Sequence, residues 1–420
     1  MDAAIQNLRR PQARNIIDSL RDGVVPKHGA EFFTVGRERW LASIGEDLED
    51  LADTACTDGR LRIINGRNGD GKTHLMHLIA SQSLNANFTV GYLVVSKDTP
   101  LYSWNVVYGA IGRSLITKGN PDNGGLRVIL NPDNPDPAIA ADYRAKSTAI
   151  RQIRGIDPNF SQAAYRFCTQ QTANVDQDQD LLLLGAWLEG EQSKLRELGI
   201  STTVDQTNGV RMLRSLVLLM QHFGFAGLVV LIDEVESILN LSKNRRRDSY
   251  QTLRLLVDRE NTPPHALIAA STTPPMFTDR ERGMQTYPAL WSRVQPAAQT
   301  SDLVNYRATL IDLTKSRLSL DEYSAIGSRI RSIHAKAYEW DASVVSDKFI
   351  GACAELAASN RLTLTYSATR VFVKAVVETL ELRNQHPGID VGNKDIATMF
   401  GDVDGRLRDS DAKFAMDDDE

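Results

Sequence analysis

Apolar residues recur at helical spacing twice near the start of the chain. Ile16, Ile17 and Leu20 predict a helix over Arg14–Arg21, with Gly23 as its stop. Trp40, Leu41, Ile44, Leu48 and Leu51 predict a second over Arg37–Ala55. The pattern then alternates. Leu61–Asn65 is a short apolar strand, followed by a glycine-rich turn and a helix from Lys72 to about Leu84. Thr89–Val95, rich in β-branched residues and Tyr, reads as a second strand, and Ser103–Ile116 as a helix. Leu228–Ile232 is wholly apolar, as suits a strand at the centre of a parallel sheet. Ala266–Ser271 and Arg307–Leu313 supply the fourth and fifth strands. Helical patterns fit Ser161–Gln171, Asp178–Leu198, Gly209–Phe223 and Ser249–Glu260.

From Asp321 onward only helical patterns remain, over Asp321–Ala337, Ala342–Ser359 and Ala368–Asn384. The shift predicts an α/β domain over 1–317, built on a five-stranded parallel sheet flanked by helices. A small all-α lid over 318–385 would follow. Residues 118–160 hold Pro121, Pro132, Pro135, Pro137 and Pro158 and few apolar runs, which predicts an insertion on the surface. Residues 386–420 read as an acidic, loosely ordered tail.

Composition narrows the class without naming it. Of 420 residues, 42% are apolar and 24% charged, an ordinary globular balance that excludes a disordered or collagen-like chain. The formal charge is −5, and Gly401–Glu420, with eight acids and three bases, accounts for all of it. No global basic field therefore points to nucleic acid, and DNA is left to a local patch. Cys56, Cys168 and Cys353 are widely spaced, so neither a disulfide framework nor a Cys-based zinc site is indicated. Met1–Pro11 lacks a signal-peptide core. Leu213–Ile232 is interrupted by Arg214, Gln221 and His222, which argues against a membrane span. These features predict a cytoplasmic protein with no membrane partner.

The sharpest chemistry is Gly66-Arg-Asn68-Gly69-Asp70-Gly71-Lys72-Thr73, a full G-x-x-x-x-G-K-T between a strand and a helix. Glycines let the backbone curl so that N–H groups point at a phosphate, and the helix N-terminus adds its positive end. Lys72 is expected to reach the β and γ phosphates of ATP, and the Thr73 hydroxyl to hold Mg²⁺. The nucleotide-binding candidates run from Gly66 through Asn68, Gly69, Asp70, Gly71, Lys72 and Thr73 to His74. Asp70 is an acid inside an anion cradle, so its side chain is expected to point outward or to cap the helix start.

Leu228–Ile232 runs into Asp233 and Glu234. A parallel strand ending in two acids fits Asp233 as a Mg²⁺ ligand, direct or through water, and Glu234 as the base that orients the attacking water. Glu236 is a weaker rival for that base. Ala266–Ala270 runs into Ser271, Thr272 and Thr273. One hydroxyl there is expected to face the γ-phosphate; Thr272 is favoured, with Ser271 and Thr273 as alternatives.

Val35-Gly36-Arg37-Glu38 upstream of the loop resembles the segment that borders the adenine pocket in AAA+/STAND ATPases related to Orc/Cdc6. Lys72, Thr73, Asp233, Glu234 and Thr272 fall in the order of that group's Walker A, Walker B and sensor 1 motifs. The resemblance implies a base-binding role for Gly36 and Arg37. Tyr287–Arg293 looks like the segment carrying the arginine finger, and Ala368-Thr-Arg370 like sensor 2. More narrowly, Arg14–Pro26 and Leu231–Glu236 are similar to the ATP-binding proteins of BREX phage-defence operons, BrxC and BrxD. The resemblance runs from about Arg14 to Arg383. Orc/Cdc6 proteins continue into a winged-helix DNA reader, whereas only 384–420 follow here, so no such reader is expected.

Phosphoryl transfer needs positive charge at the γ-phosphate, and Arg280, Arg282 and Arg293 follow the fourth strand. Arg293 is favoured because Leu290 and Trp291 could anchor its turn; the resemblance implies that it acts on a neighbouring subunit's ATP. Arg370 opens a helix, where a cation opposes the dipole, and so is a candidate for a ligand. Lys243-Asn-Arg245-Arg246-Arg247 could contact a phosphate backbone, although Asp248, Asp258 and Glu260 dilute it. The whole predicts an oligomerising, Mg²⁺-dependent ATPase that turns ATP and water into ADP and phosphate. Its hydrolysis would drive or switch a complex with other proteins of a defence operon. A slow-hydrolysing assembly scaffold and a nucleotide-dependent DNA loader are the alternatives.

Overall fold

A computed structural model describes residues 3–131, 142–171, 178–191, 195–258, 262–295, 304–359, 367–388 and 396–417. The strands are β1 (Arg60–Asn65), β2 (Thr89–Val94), β3 (Leu228–Asp233), β4 (Ala266–Thr272) and β5 (Leu310–Asp312). The longer helices before β3 are α1 (Arg10–Asp22), α2 (Glu38–Ala52), α3 (Lys72–Asn85), α4 (Trp104–Ser114), α5 (Pro158–Gln171), α6 (Asp178–Leu188) and α7 (Gly209–His222). After β3 come α8 (Lys243–Val257), α9 (Pro288–Val294), α10 (Leu320–Tyr338), α11 (Asp347–Ala358), α12 (Ala368–Gln385) and α13 (Ile396–Asp417). The chain forms two compact units. One comprises Ala42–Ile64 and Ile79–Ile311, the other Met1–Leu41, Asn65–Leu78 and Asp312–Glu420.

The first unit is built on the five-stranded sheet, in the order β2-β3-β4-β1-β5. β3 runs parallel to both neighbours: Thr89 lies opposite Leu228 and Val94 opposite Asp233, while Leu228 lies opposite Ala266. Every residue of β3 and β4 is buried, so both faces select apolar side chains until the strands end. α4 lies against β2. One continuous core joins Leu93, Val230, Ile232 and Ile268 with Trp104, Phe160 and Trp187. Leu126, Ile129, Leu130, Tyr143 and Ile150 belong to that core. The described parts of 118–160 thus bury apolar residues, where the prolines suggested a surface excursion. Their helices, Leu126–Ile129 and Tyr143–Ala149, are too short to show a period; residues 132–141 lie outside the described residues.

In the second unit α1 and α10 pack together, and α10 packs on α11 and α12. Ile16, Ile17 and Leu20 of α1 are buried, as are Ile330 and Ile333 of α10 and Val371 and Phe372 of α12. α10 begins with a capping box: the Ser319 hydroxyl accepts from the Glu322 N–H, and the Ser319 N–H donates to Glu322 Oε2 at 2.7 Å. α1 ends at Gly23, whose φ of +76° gives a left-handed cap. Two features differ from the sequence reading. The units do not divide at 317/318, because the glycine-rich segment belongs with the C-terminal helices. Within the tail reading at 386–420, Ile396–Asp417 form α13, with Phe400, Val403 and Leu407 buried on one face, while 389–395 and 418–420 lie outside the described residues. Acids between these residues hide the helical period.

Candidate nucleotide-binding site

β1 ends at Asn65, and Gly66–Gly71 lead directly into α3. Gly69 and Gly71 have φ of +89° and +91°, a region costly for any residue with a Cβ. Asp70 closes the loop on itself. Its carboxylate accepts from the Arg67 N–H at 2.7 Å, and its own N–H donates to the Arg67 carbonyl at 3.1 Å. The acid is thereby tied to backbone, and burial raises its pKa. Lys72 is only 8% exposed, and its ammonium donates to the Gly66 carbonyl at 3.1 Å and the Arg67 carbonyl at 3.4 Å. Asn68 is exposed, and Thr73 is the second residue of α3.

His74 and Arg37 brace this loop. The Thr34 hydroxyl donates to the Ala30 carbonyl at 2.7 Å, so it accepts from His74 Nε2 at 2.8 Å, which puts the imidazole proton on Nε2. The His74 ring also stands 5.1 Å from that of Phe33. Burial, with the Arg37 and His77 charges nearby, lowers its pKa to about 3. Arg37 is buried, a state that lowers its pKa too, and donates to the Ser316 carbonyl at 3.1 Å and the Asp70 carbonyl at 3.4 Å. Gly36 has φ of +76°; a Cβ there would lie 2.5 Å from Glu322 Oε1 and 2.8 Å from Leu318 Cδ2. Only glycine lets this turn approach α10 so closely.

α12 starts against the same loop. The Ser367 N–H donates to the Asn68 carbonyl at 3.2 Å. A Cβ on Gly69 would lie 2.8 Å from Ser367 Oγ and 2.9 Å from Arg370 Cβ. The Arg370 guanidinium runs on past Gly23, with Nε and Nη2 each 3.8 Å from where a Cβ on that glycine would be. Ser367 Oγ is buried and makes no hydrogen bond among the described residues. Gly36, Arg37, Gly66–His74 and Arg370 therefore gather in the helical unit. Ser367 was not foreseen; its position just before the Ala368 helix start was its only signal.

The two acids lie in the sheet unit. Asp233 is 3% exposed at the end of β3. Its Oδ2 accepts from the Tyr92 phenol at 2.5 Å; its Oδ1 accepts from the Ser271 hydroxyl and from the Glu234 N–H at 3.0 Å. Burial, reinforced by Asp233, raises the Tyr92 pKa, so the phenol stays a donor. Glu234 is exposed, and its φ of +57° is rare for a residue with a Cβ. Thr272 is 2% exposed, and its hydroxyl has no partner among the described residues. Arg293 donates to Asp258 Oδ2 at 2.9 Å and to the Ala289 carbonyl at 2.7 Å. Arg280 and Arg282 are exposed. Sequence reasoning passed over Tyr92, whose signal was a lone phenol among the aliphatic residues of β2.

Among the described residues no group of three or more His, Cys, Asp or Glu side chains could hold a metal ion, and no helix is long and apolar enough to cross a membrane. Mg²⁺ commonly binds through one or two carboxylates together with water and substrate phosphates, so it does not need such a group. The family model for the BREX system ATP-binding protein BrxC/D matches residues 8–132 and 134–397. No curated protein and no solved structure matches the chain.

Proposed function

The chain belongs to the BREX system ATP-binding protein BrxC/D family, and from that premise we propose that it is a Mg²⁺-dependent ATPase of this phage-defence system. The observation that carries the reading is the glycine-rich loop with the buried Lys72 ammonium held on its own carbonyls at the start of α3. A buried cation beside a helix N-terminus is suited to phosphate. The Asp70 carboxylate is tied back to the Arg67 N–H, which fixes its place in the loop.

In this reading Lys72 exchanges loop carbonyls for the β and γ phosphates, and Thr73 offers its hydroxyl to Mg²⁺. Gly36 and Arg37 border the base. Asp233, buried and oriented by three donors, suits a carboxylate that holds Mg²⁺ directly or through water. When bound, Mg²⁺ neutralises charge on the phosphates during transfer. Glu234 orients and deprotonates the attacking water. Its left-handed backbone is the kind of local strain found at catalytic positions. The Thr272 hydroxyl, without a partner among the described residues, is suited to sensing the γ-phosphate, while Ser271 is engaged with Asp233. Arg293 would serve a neighbouring copy's ATP, and Arg370 would respond to the γ-phosphate from α12. Partners would be other proteins of the defence operon.

The test is paired. Lys72→Ala should weaken binding of a fluorescent ATP analogue by at least about tenfold, because a ground-state phosphate contact is lost. Glu234→Gln should keep that affinity and lose turnover by about a hundredfold or more. Wild-type turnover in Glu234→Gln would remove the base assignment. Binding without measurable turnover in the wild type would favour the assembly scaffold, and turnover that requires DNA would favour the loader.

A further inference from the structure

Strand geometry dictates which side chains can meet at the end of β3. Val94 pairs with Asp233, so Tyr92, two residues earlier on β2, shares the Asp233 face of the sheet. Ile232 pairs with Ala270, so Ser271 is the next position on β4 and projects to that same face, while Thr272 projects to the other. Tyr92 is diagonal to Asp233, a separation that a phenol can span. The result is a carboxylate held at both oxygens by two hydroxyls from two neighbouring strands. The Ser271 oxygen also accepts from the Glu234 N–H at 3.2 Å, so one hydroxyl links the Asp233 side chain to the Glu234 backbone at its strained turn.

Resting on the ATPase reading above, we infer that Tyr92 and Ser271 are positioning residues that set the plane of the Asp233 carboxylate for the nucleotide's divalent cation. A carboxylate fixed at only one oxygen still rotates about its Cβ–Cγ bond. Donors on both oxygens stop that rotation and fix where the remaining lone pairs point. Both donors are neutral hydroxyls, so they orient the carboxylate without cancelling the charge that attracts the cation. Ser271 has a second duty, since its bond to the Glu234 N–H holds the backbone from which the catalytic carboxylate projects. The two residues therefore differ in what their loss does. Tyr92 acts on the metal; Ser271 acts on the metal and on turnover.

The experiment uses the full chain with a non-hydrolysable ATP analogue and Mn²⁺ as a paramagnetic stand-in for Mg²⁺. Tyr92→Phe keeps the ring in the sheet and removes one donor. The Mn²⁺ concentration for half-saturation of the protein–nucleotide complex, read by electron paramagnetic resonance, should rise about 10-fold or more, the usual cost of losing an outer partner of a metal ligand. Affinity for the analogue in EDTA should not change, which a general loss of folding would not allow. Ser271→Ala should raise the same Mn²⁺ midpoint and should also lower turnover with Mg²⁺ at saturation, whereas Tyr92→Phe should recover its turnover at high Mg²⁺. An unchanged Mn²⁺ midpoint in both variants would overturn the inference. Asp233→Asn separates the two levels of the argument. If it weakens Mn²⁺ binding while Tyr92→Phe and Ser271→Ala do not, only the positioning roles fall. If Asp233→Asn also leaves the midpoint unchanged, the metal role of Asp233 falls with them.

Discussion

At the scale of single residues, burial decides the charge of several groups before any ligand arrives. His74 is held neutral to about pH 3 by burial, with Arg37 and His77 adding to the effect, and His334 to about pH 4 by burial and then Arg21. In the unfolded chain each would take a proton near pH 6.5. Between those values the unfolded state binds more protons than the native one, so stability falls as pH drops below about 6.5. Each histidine contributes up to about 1.4 kcal/mol per pH unit inside its window. Asp70 works the other way, since its raised pKa lets the native state bind the extra proton as pH falls. His74→Gln removes one of these groups and keeps a donor for Thr34. Urea midpoints taken between pH 7.5 and 5 should therefore shift less in His74→Gln than in the wild type. Equal shifts would mean that the buried imidazole does protonate in the native state. On the ATPase proposal the pH trend bears on function, because an uncharged His74 adds no charge of its own beside Lys72.

At the scale of elements, the loop and α12 are fitted to each other. Gly69 meets Ser367 and Arg370 at distances that a methyl group would violate, and its φ is positive as well. Gly69→Ala should weaken binding of both ATP and ADP by tenfold or more, because either the loop or the α12 start has to move; the backbone strain alone is worth about 1–3 kcal/mol. Gly71→Ala carries the backbone penalty, but its Cβ would meet nothing closer than His74 Cβ at 3.9 Å. It should cost less thermal stability than Gly69→Ala, and calorimetry of the two variants checks the order. This fit could not be read from the chain, since Gly69 and Ser367 are remote in sequence. The loop itself was legible because a contiguous motif names its own strand, turn and helix. Long elements such as α7 and α10 were legible from their apolar period. α8 starts at Lys243, ahead of the expected Ser249; four bases among its first five residues oppose the helix dipole and masked the start. The contacts of Asp233 were illegible for another reason. They arise from strand register, which places Tyr92 and Ser271 beside it from two separate strands.

At the scale of the whole molecule, the proposal needs a second copy. Arg293 donates to Asp258 within its own chain, and its side chain is 36% exposed, so it is anchored yet reachable. The Asp258 side chain is only 14% exposed, so a triphosphate from a neighbouring subunit must offer Arg293 more than this partly buried carboxylate does. ATP would then stabilise the contact between copies, and hydrolysis would remove the charge that Arg293 finds there. The protein should sediment as a smaller species in the apo and ADP states and as a larger one with ATP, Mg²⁺ and Glu234→Gln, in which the nucleotide persists. Arg293→Ala in that background should keep ATP affinity and lose the larger species. Asp258→Asn should keep the larger species or favour it, because the competing partner is weakened. Analytical ultracentrifugation that finds one mass in all nucleotide states would exclude ATP-driven assembly. A larger species that survives Arg293→Ala would move the trans contact to another residue, with Arg280 and Arg282 as the next arginines to replace.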